Sequence, residues 1–251
     1  MIRRRVVGAA AFVVIVVIWQ VAAATRLYNP VLLPPPSSAI VALERLAANG
    51  TLANDLGASL GRYGVGFGIG CMAGVLVGFI TSRVRLIGDA VEPLFHYLRS
   101  IPSVALIPAV IVLFGIGDGG KVAIVVWACF FPTWLNTFLG MREVRPEHIR
   151  TAQSLGASPI VVAFHVLLPS SLPYILAGVR TAIATGLFAL AAGEMIGASA
   201  GIAFRIFQSY ELFHTDAMIG YTLLIGAVAL VADLIVVAIT TRLAPWSIAA
   251  K

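Results

Sequence analysis

Charge is what this chain has least of. Only 11% of its 251 residues are Asp, Glu, Lys or Arg, against roughly 25% in an ordinary soluble domain. A surface so poor in charge cannot keep a folded chain in water, so a soluble enzyme and a disordered tail are both excluded. Cysteine is nearly absent as well: Cys71 and Cys129 stand alone, each in an apolar run. That excludes a disulfide-stapled secreted module, and the pair reads as small core residues, not as a metal site. Acidic residues are scarcer than basic ones, 11 against 17, giving a net charge of +6. In so apolar a chain the excess reflects orientation in a membrane, not nucleic-acid binding.

What the chain does have is apolar length. Sixty per cent of it is hydrophobic, and its mean hydropathy is +0.99. A helix needs about 20 apolar residues to cross the hydrocarbon core. Six stretches approach that length: 6–24, 63–81, 94–114, 122–139, 175–196 and 218–239. None shows barrel-like alternation, so the expected fold is an all-α polytopic membrane protein with six transmembrane helices, one domain over residues 1–251. The first stretch resembles a signal peptide, with Arg3, Arg4 and Arg5 before it and Ala22-Ala23-Ala24 at its end. Its length favours an uncleaved span.

Lys and Arg set the orientation. With the N-terminus inside, Arg3, Arg4, Arg5, Arg83, Arg85, Arg142, Arg145, Arg150, Arg242 and Lys251 fall on the inner side. Arg26, Arg45, Arg62, Lys121 and Arg205 fall outside. The bias places both termini in the cytoplasm and the chain in the plasma or inner membrane.

Two segments between spans carry structure of their own. Pro34-Pro35-Pro36-Ser37-Ser38 leads into Ile40, Val41, Leu43 and Leu46 at near-helical spacing, a short amphipathic helix expected at the outer surface. The inner segment 143–173 reads as two short helices meeting at a corner. Pro146 suits a first turn and Gly156 a left-handed stop. Ser158-Pro159 restarts the helix, followed by Ile160, Val161, Phe164 and Leu168. Pro169 and Pro173 are expected to end it.

Gly66, Gly70, Gly74 and Gly78 recur every fourth residue. Such a stripe lets another helix approach closely, and the expectation is helix packing with a partner the sequence does not name. Pro102 and Pro108 bend the third span, and Arg99 precedes the bend. Arg180 and Glu194 lie in the fifth span. Charges at such depth mark pathways or structural locks. Arg99, Pro102, Arg180 and Glu194 are therefore candidate pathway residues; the arginines either guide an anion or pair with Glu92 or with lipid headgroups.

Other patterns carry less. Gly115-Ile116-Gly117-Asp118-Gly119-Gly120-Lys121-Val122 nearly matches a phosphate-binding loop but has Val122 where Ser or Thr would bind magnesium. It reads as a glycine turn, so any ATP chemistry comes from another chain. Gly197-Ala198-Ser199-Ala200-Gly201 matches a nucleophile pattern and, with His214, raises an intramembrane serine protease as an alternative. His96, His148 and His165 show no metal-ligand spacing.

Arg150-Thr151-Ala152-Gln153-Ser154-Leu155-Gly156, followed by Val166-Leu167-Leu168-Pro169, resembles the "EAA" loop of ABC importer permeases. Ala152, Gly156, Leu168 and Pro169 match the signature. Arg150 and Thr151 replace its Glu and first Ala, and Val166 its Ile. Leu32-Leu33-Pro34-Pro35-Pro36, Leu98-Arg99-Ser100-Ile101-Pro102, Phe114-Gly115-Ile116-Gly117, Leu176-Ala177-Gly178-Val179-Arg180, Ala192-Gly193-Glu194-Met195-Ile196 and Thr215-Asp216 look like the nitrate, sulfonate and taurine branch. Ala152 to Ser158 and Leu243-Ala244-Pro245-Trp246 lean towards taurine permeases.

The resemblance implies a permease subunit and not an enzyme. It implies a second copy of the chain forming the pore, two cytoplasmic ATPases carrying ATP and magnesium, and an extracytoplasmic binding protein. Arg150, Thr151, Ala152, Gln153, Ser154, Leu155, Gly156, Ala157, Ser158 and Pro159 would form the coupling helix that meets the ATPase. The cargo it implies is taurine or another alkanesulfonate, with nitrate, bicarbonate or a thiamine-precursor pyrimidine as alternatives. A stand-alone secondary transporter would need inverted repeats, and none is evident.

Overall fold

A computed structural model describes residues 2–244. Pro245, Trp246 and Lys251, used above for resemblance and orientation, lie outside the described residues. Eleven α-helices follow in order among them: α1 Ile2–Ala24, α2 Pro36–Ala48, α3 Thr51–Arg83, α4 Arg85–Leu98, α5 Ile107–Phe114, α6 Asp118–Arg142, α7 Pro146–Ser154, α8 Pro159–Val162, α9 Leu168–Met195, α10 Ile202–Glu211 and α11 Thr215–Leu243. A 3-10 turn, Ser103–Leu106, precedes α5, and a π turn, Ala163–Leu167, joins α8 to α9.

The expectation of six spans is corrected. Among the described residues four helical runs are long and apolar enough to cross a membrane: α3, α6, the continuous run Pro159–Met195, and α11. A fifth exists only if the bent pair Arg85–Leu98 and Ser103–Phe114 counts as one span. The first expected span is not among them: the apolar stretch of α1 whose side chains are described is Ala10–Ala24, shorter than the roughly 20 residues a crossing needs. The third is broken by 87°. Pro102 has no N–H and sits extended at φ −58°, ψ 131°, which ends the helix before it. Pro108 bends nothing, because it falls in the first turn of α5, where a missing donor is harmless.

A second correction concerns the inner segment. Pro169 and Pro173 do not end a helix; Pro169 is the second residue of α9 and Pro173 lies inside it. Pro169 cannot donate to the carbonyl four residues back. The wider π turn just before it carries the chain past that gap.

The chain divides into two compact units, Met1–Ser59 with Glu194–Ala227, and Leu60–Gly193 with Val228–Lys251. In the first, α2 buries Pro36, Ala39 and Ala42, a face of small side chains, while Ile40 and Val41 are exposed. The reason is close approach: a Cβ on Gly220 would stand 3.0 Å from the Ala39 carbonyl and from Leu43. Thr215 Oγ1 donates to the Val31 carbonyl at 2.7 Å.

In the second unit α6 is central. The glycine stripe of α3 lies against it. A Cβ on Gly66, Gly70, Gly74 or Gly78 would come within 2.7–2.8 Å of Val125, the Val126 carbonyl, Phe130 or Thr137. Contacts advance together along both helices, so α3 and α6 run parallel. Trp134 is fully buried and donates to Thr81 Oγ1 at 3.2 Å. On another side α9 runs antiparallel to α6: Gly178 meets Asn136, Gly186 meets Cys129 and Gly193 approaches Lys121. Tyr63, Cys71, Val125, Cys129, Ala182 and Leu190 form the core between these helices, closed by Val236 of α11.

Candidate functional site

Breaking a helix inside an apolar layer exposes backbone and makes room. Here the break opens a cavity of about 360 Å³. Arg99, Ile101, Pro102 and Ser103 line it from the break; Trp127, Ala128, Phe131, Pro132, Leu135 and Asn136 from α6; Thr181 and Thr185 from α9. Those α6 residues span the middle of a 25-residue helix. α4 is pinned just before the break by Phe95, whose ring meets Trp134 edge-on at 4.9 Å.

The polar groups have identifiable origins. Pro132 inside α6 cannot donate to the Ala128 carbonyl. Thr185 Oγ1, from α9, supplies that bond at 3.0 Å. Asn136 Nδ2 donates to the Pro132 carbonyl at 2.8 Å, leaving its carboxamide oxygen as an acceptor. Arg99 is the exception. Its side chain is exposed and forms no hydrogen bond or ion pair among the described residues. Glu92, the partner considered from sequence, instead receives Arg142 Nη1 at 3.3 Å. No acidic residue lines the cavity among the described residues.

The four candidate pathway residues do not share one place. Arg99 and Pro102 line the cavity. Arg180, in α9, is held by Asp233 of α11, with Nη2 to Oδ2 at 2.8 Å. Glu194 belongs to the first unit and is fully buried. It accepts from Ser59 Oγ at 2.7 Å and from the Ala203 N–H at 3.1 Å.

Around Glu194 the first unit holds a clamp that sequence reasoning missed. Gly201, Ile202 and Ala203 present the free N–H groups of the start of α10, which Asp55 Oδ1, Ser59 Oγ and Glu194 Oε2 accept. Asp55 is fully buried and also accepts from Arg205 Nε at 2.9 Å and from Tyr221 OH at 2.7 Å. That bond to Asp55 raises the Arg205 pKa further above its ordinary value. Gly201, at φ +140°, is required here: a Cβ would stand 2.5 Å from the Glu194 carboxyl. Ser199 forms no hydrogen bond to His214 among the described residues, so the protease pattern is not assembled.

The inner corner is built as a stop and a restart. Gly156, at φ +80°, ends α7, with its N–H on the Gln153 carbonyl at 2.9 Å and the Ala157 N–H on the Ala152 carbonyl at 3.0 Å, a Schellman pair. Ser158 Oγ caps α8 by accepting from the Val161 N–H at 3.4 Å. Ala152 and Ala157 pack on the cluster of Met141, Val144, Val162, Leu167 and Ile175, which ties the corner to α6 and α9. Leu155, Ile160 and Phe164 project outward, Leu155 83% exposed. Arg150 is exposed.

The profile of the family described as binding-protein-dependent transport system inner membrane component matches residues 66–247. The chain belongs to this family. It is thus the permease subunit of an ABC importer, a multi-pass membrane protein and not an enzyme. Membership implies a partner ATPase that uses ATP and magnesium, and a substrate-binding protein. The permease is 32% identical over 196 residues to the taurine transport system permease protein TauC of Escherichia coli (strain K12), covering 78% of this chain and 71% of that one. It is 29% identical over 177 residues to the bicarbonate transport system permease protein CmpB of Synechocystis, covering 70% and 63%. Among solved structures, an inward-facing MetNI methionine ABC transporter shares the fold at TM-score 0.68 and 20% identity, covering 78% of this chain and 98% of that one.

Proposed function

We propose that this permease imports a small organic oxyanion, an alkanesulfonate such as taurine or ethanesulfonate, and that the cargo passes Arg99 at the broken helix. One observation carries the reading: halfway along the helices stands a guanidinium with no partner among the described residues, beside a cavity that no described carboxylate lines. An arginine at that depth is expensive to maintain, and an anionic visitor is what offsets it. The Ser103 hydroxyl and the second N–H of Asn136 offer donors for the remaining oxygens. Ile101, Trp127, Phe131 and Leu135 make an apolar wall suited to an alkyl tail, which nitrate and bicarbonate do not have.

The rest follows from family architecture. Two copies form the pore, and each corner at Gly156 seats one ATPase through Leu155, Ile160 and Phe164. A corner stopped and recapped within three residues turns as a rigid body, so ATPase closure reaches α6 and α9 undiminished.

Uptake tests the cargo. The permease is reconstituted with its ATPase and binding protein, and labelled taurine and ethanesulfonate are supplied with unlabelled nitrate or bicarbonate as competitors. Arg99→Ala is expected to lower uptake at least about tenfold, with partial recovery in Arg99→Lys. Full uptake in Arg99→Ala, or competition by nitrate but not by sulfonates, rejects the reading.

A further inference from the structure

α11 is the most apolar of the long helices, with mean hydropathy 2.7 over its core. Between Asp216 and Arg242 it carries one charge, Asp233. α9 carries Arg180 and, at its end, Glu194. Asp233 binds Arg180 through both carboxylate oxygens, Oδ1 to Nε and Oδ2 to Nη2. The pair lies at mid-depth, because Gly178, two residues earlier, packs against Pro132 and Asn136 of α6, the segment that lines the cavity. Next to Arg180, Thr181 is itself in the cavity wall.

A tie that only fastens helices together is cheapest when buried between them. This one is open: the Arg180 side chain is 57% exposed and that of Asp233 30%. Facing lipid, an open ion pair at this depth would be costly. Facing water, it is reachable. Guanidinium has five N–H donors, and the contacts to Asp233 use two of them. The other three point to no partner among the described residues.

We infer that Asp233 is a displaceable counter-ion: it holds Arg180 between cargoes and gives up guanidinium donors to the passing oxyanion, making Arg180 the second arginine on the route. This rests on the oxyanion reading above. Arg99 is the unpaired receiver, and Arg180 the arginine whose grip is limited by a competitor. A carboxylate in competition keeps the second site weak enough to release.

Two experiments on the reconstituted importer decide it. In the first, Asp233→Asn lowers the ethanesulfonate concentration for half-maximal uptake about fivefold or more, while maximal uptake falls because release slows. The swap Arg180→Asp with Asp233→Arg keeps the ion pair and moves the cation to α11. A purely structural tie predicts that the swap restores uptake; the inference predicts that it assembles but transports poorly. Restored uptake overturns it.

The second experiment does not depend on Asp233→Asn being well folded. Arg180→Cys is exposed to a charged, water-soluble methanethiosulfonate, with the wild type as control because Cys71 and Cys129 are buried. Only an ionised thiol reacts, and a thiol in lipid stays neutral. Rapid labelling slowed by ethanesulfonate supports the inference. Absence of labelling places the pair in lipid and overturns it, as does labelling that no anion slows. Protection by nitrate but not ethanesulfonate upholds the place of Arg180 on the route and overturns the sulfonate reading.

Discussion

Asp55 and Arg99 are both charged groups in a chain that can afford few, and their surroundings are opposites. Asp55 is fully enclosed, and every direction it could bond is occupied: Gly201 N–H, two guanidinium nitrogens of Arg205 and the Tyr221 hydroxyl. Arg99 stands beside a cavity with no counter-charge among the described residues. The first arrangement is complete without a visitor; the second is not. A closed shell of hydrogen bonds specifies a structure, whereas an open one at membrane depth needs something from outside the chain. On the proposed reading of Arg99, the contrast separates charges that hold the fold from those that serve transport more sharply than depth or residue type does.

The largest expected effect is at the closed shell. Asp55→Ala leaves the Gly201 N–H, two nitrogens of the partly exposed Arg205 and the Tyr221 hydroxyl without their shared acceptor, and stranding buried donors costs about 1–3 kcal/mol. Folded yield and melting temperature in detergent should drop markedly. Arg99→Ala should leave both nearly unchanged while abolishing most uptake, since no bond within the chain is lost. Equal thermal losses in the two variants would dissolve the distinction.

The same contrast marks what the sequence could reveal. Local devices were legible. Gly156 and Ser158 announce a stop and a restart through backbone preference alone, and Pro102 announces a break. The stripe of Gly66, Gly70, Gly74 and Gly78 announces close approach, although nothing in it names α6. Partnerships were not legible. Asp55 meets Arg205 and Tyr221 across 150 and 166 positions, and Glu194 meets Ser59 across 135. No local pattern encodes such pairings, so Glu194 was grouped with Arg99 by depth alone. Asp233 gave the one available signal, a lone acid in an apolar helix, but not its partner. The count of six spans erred because apolar length ignores where a helix breaks, as at Pro102.

A smaller effect sharpens the comparison within α3. At Gly74 a Cβ would stand 2.8 Å from the Phe130 carbonyl and from Thr133. Backbone cannot step aside cheaply, so Gly74→Leu should cost about 1–3 kcal/mol through overpacking. Gly68, on the same helix, has nothing within 4 Å of that position. Gly68→Ala should be neutral or gain up to about 1 kcal/mol from helix propensity. Thermal unfolding of the two variants side by side tests whether the stripe at every fourth residue, and not glycine content as such, is what α6 requires. Similar losses in both would refute that.

The smallest effect probes the border between the two kinds of polar group. Thr185 lines the cavity, yet its hydroxyl is committed to the Ala128 carbonyl that Pro132 leaves without a donor. By the logic of the closed shell it belongs with Asp55 despite lying in the wall beside Arg99. Thr185→Val keeps the shape and removes the donor, which should cost about 1 kcal/mol for the unmet carbonyl; Thr185→Ser should restore it. Uptake at saturating cargo should stay near wild type in both. If Thr185→Val instead reduced uptake as severely as Arg99→Ala with no thermal loss, the hydroxyl would be reading the anion directly. The wall of α9 would then join Arg99 as an open shell.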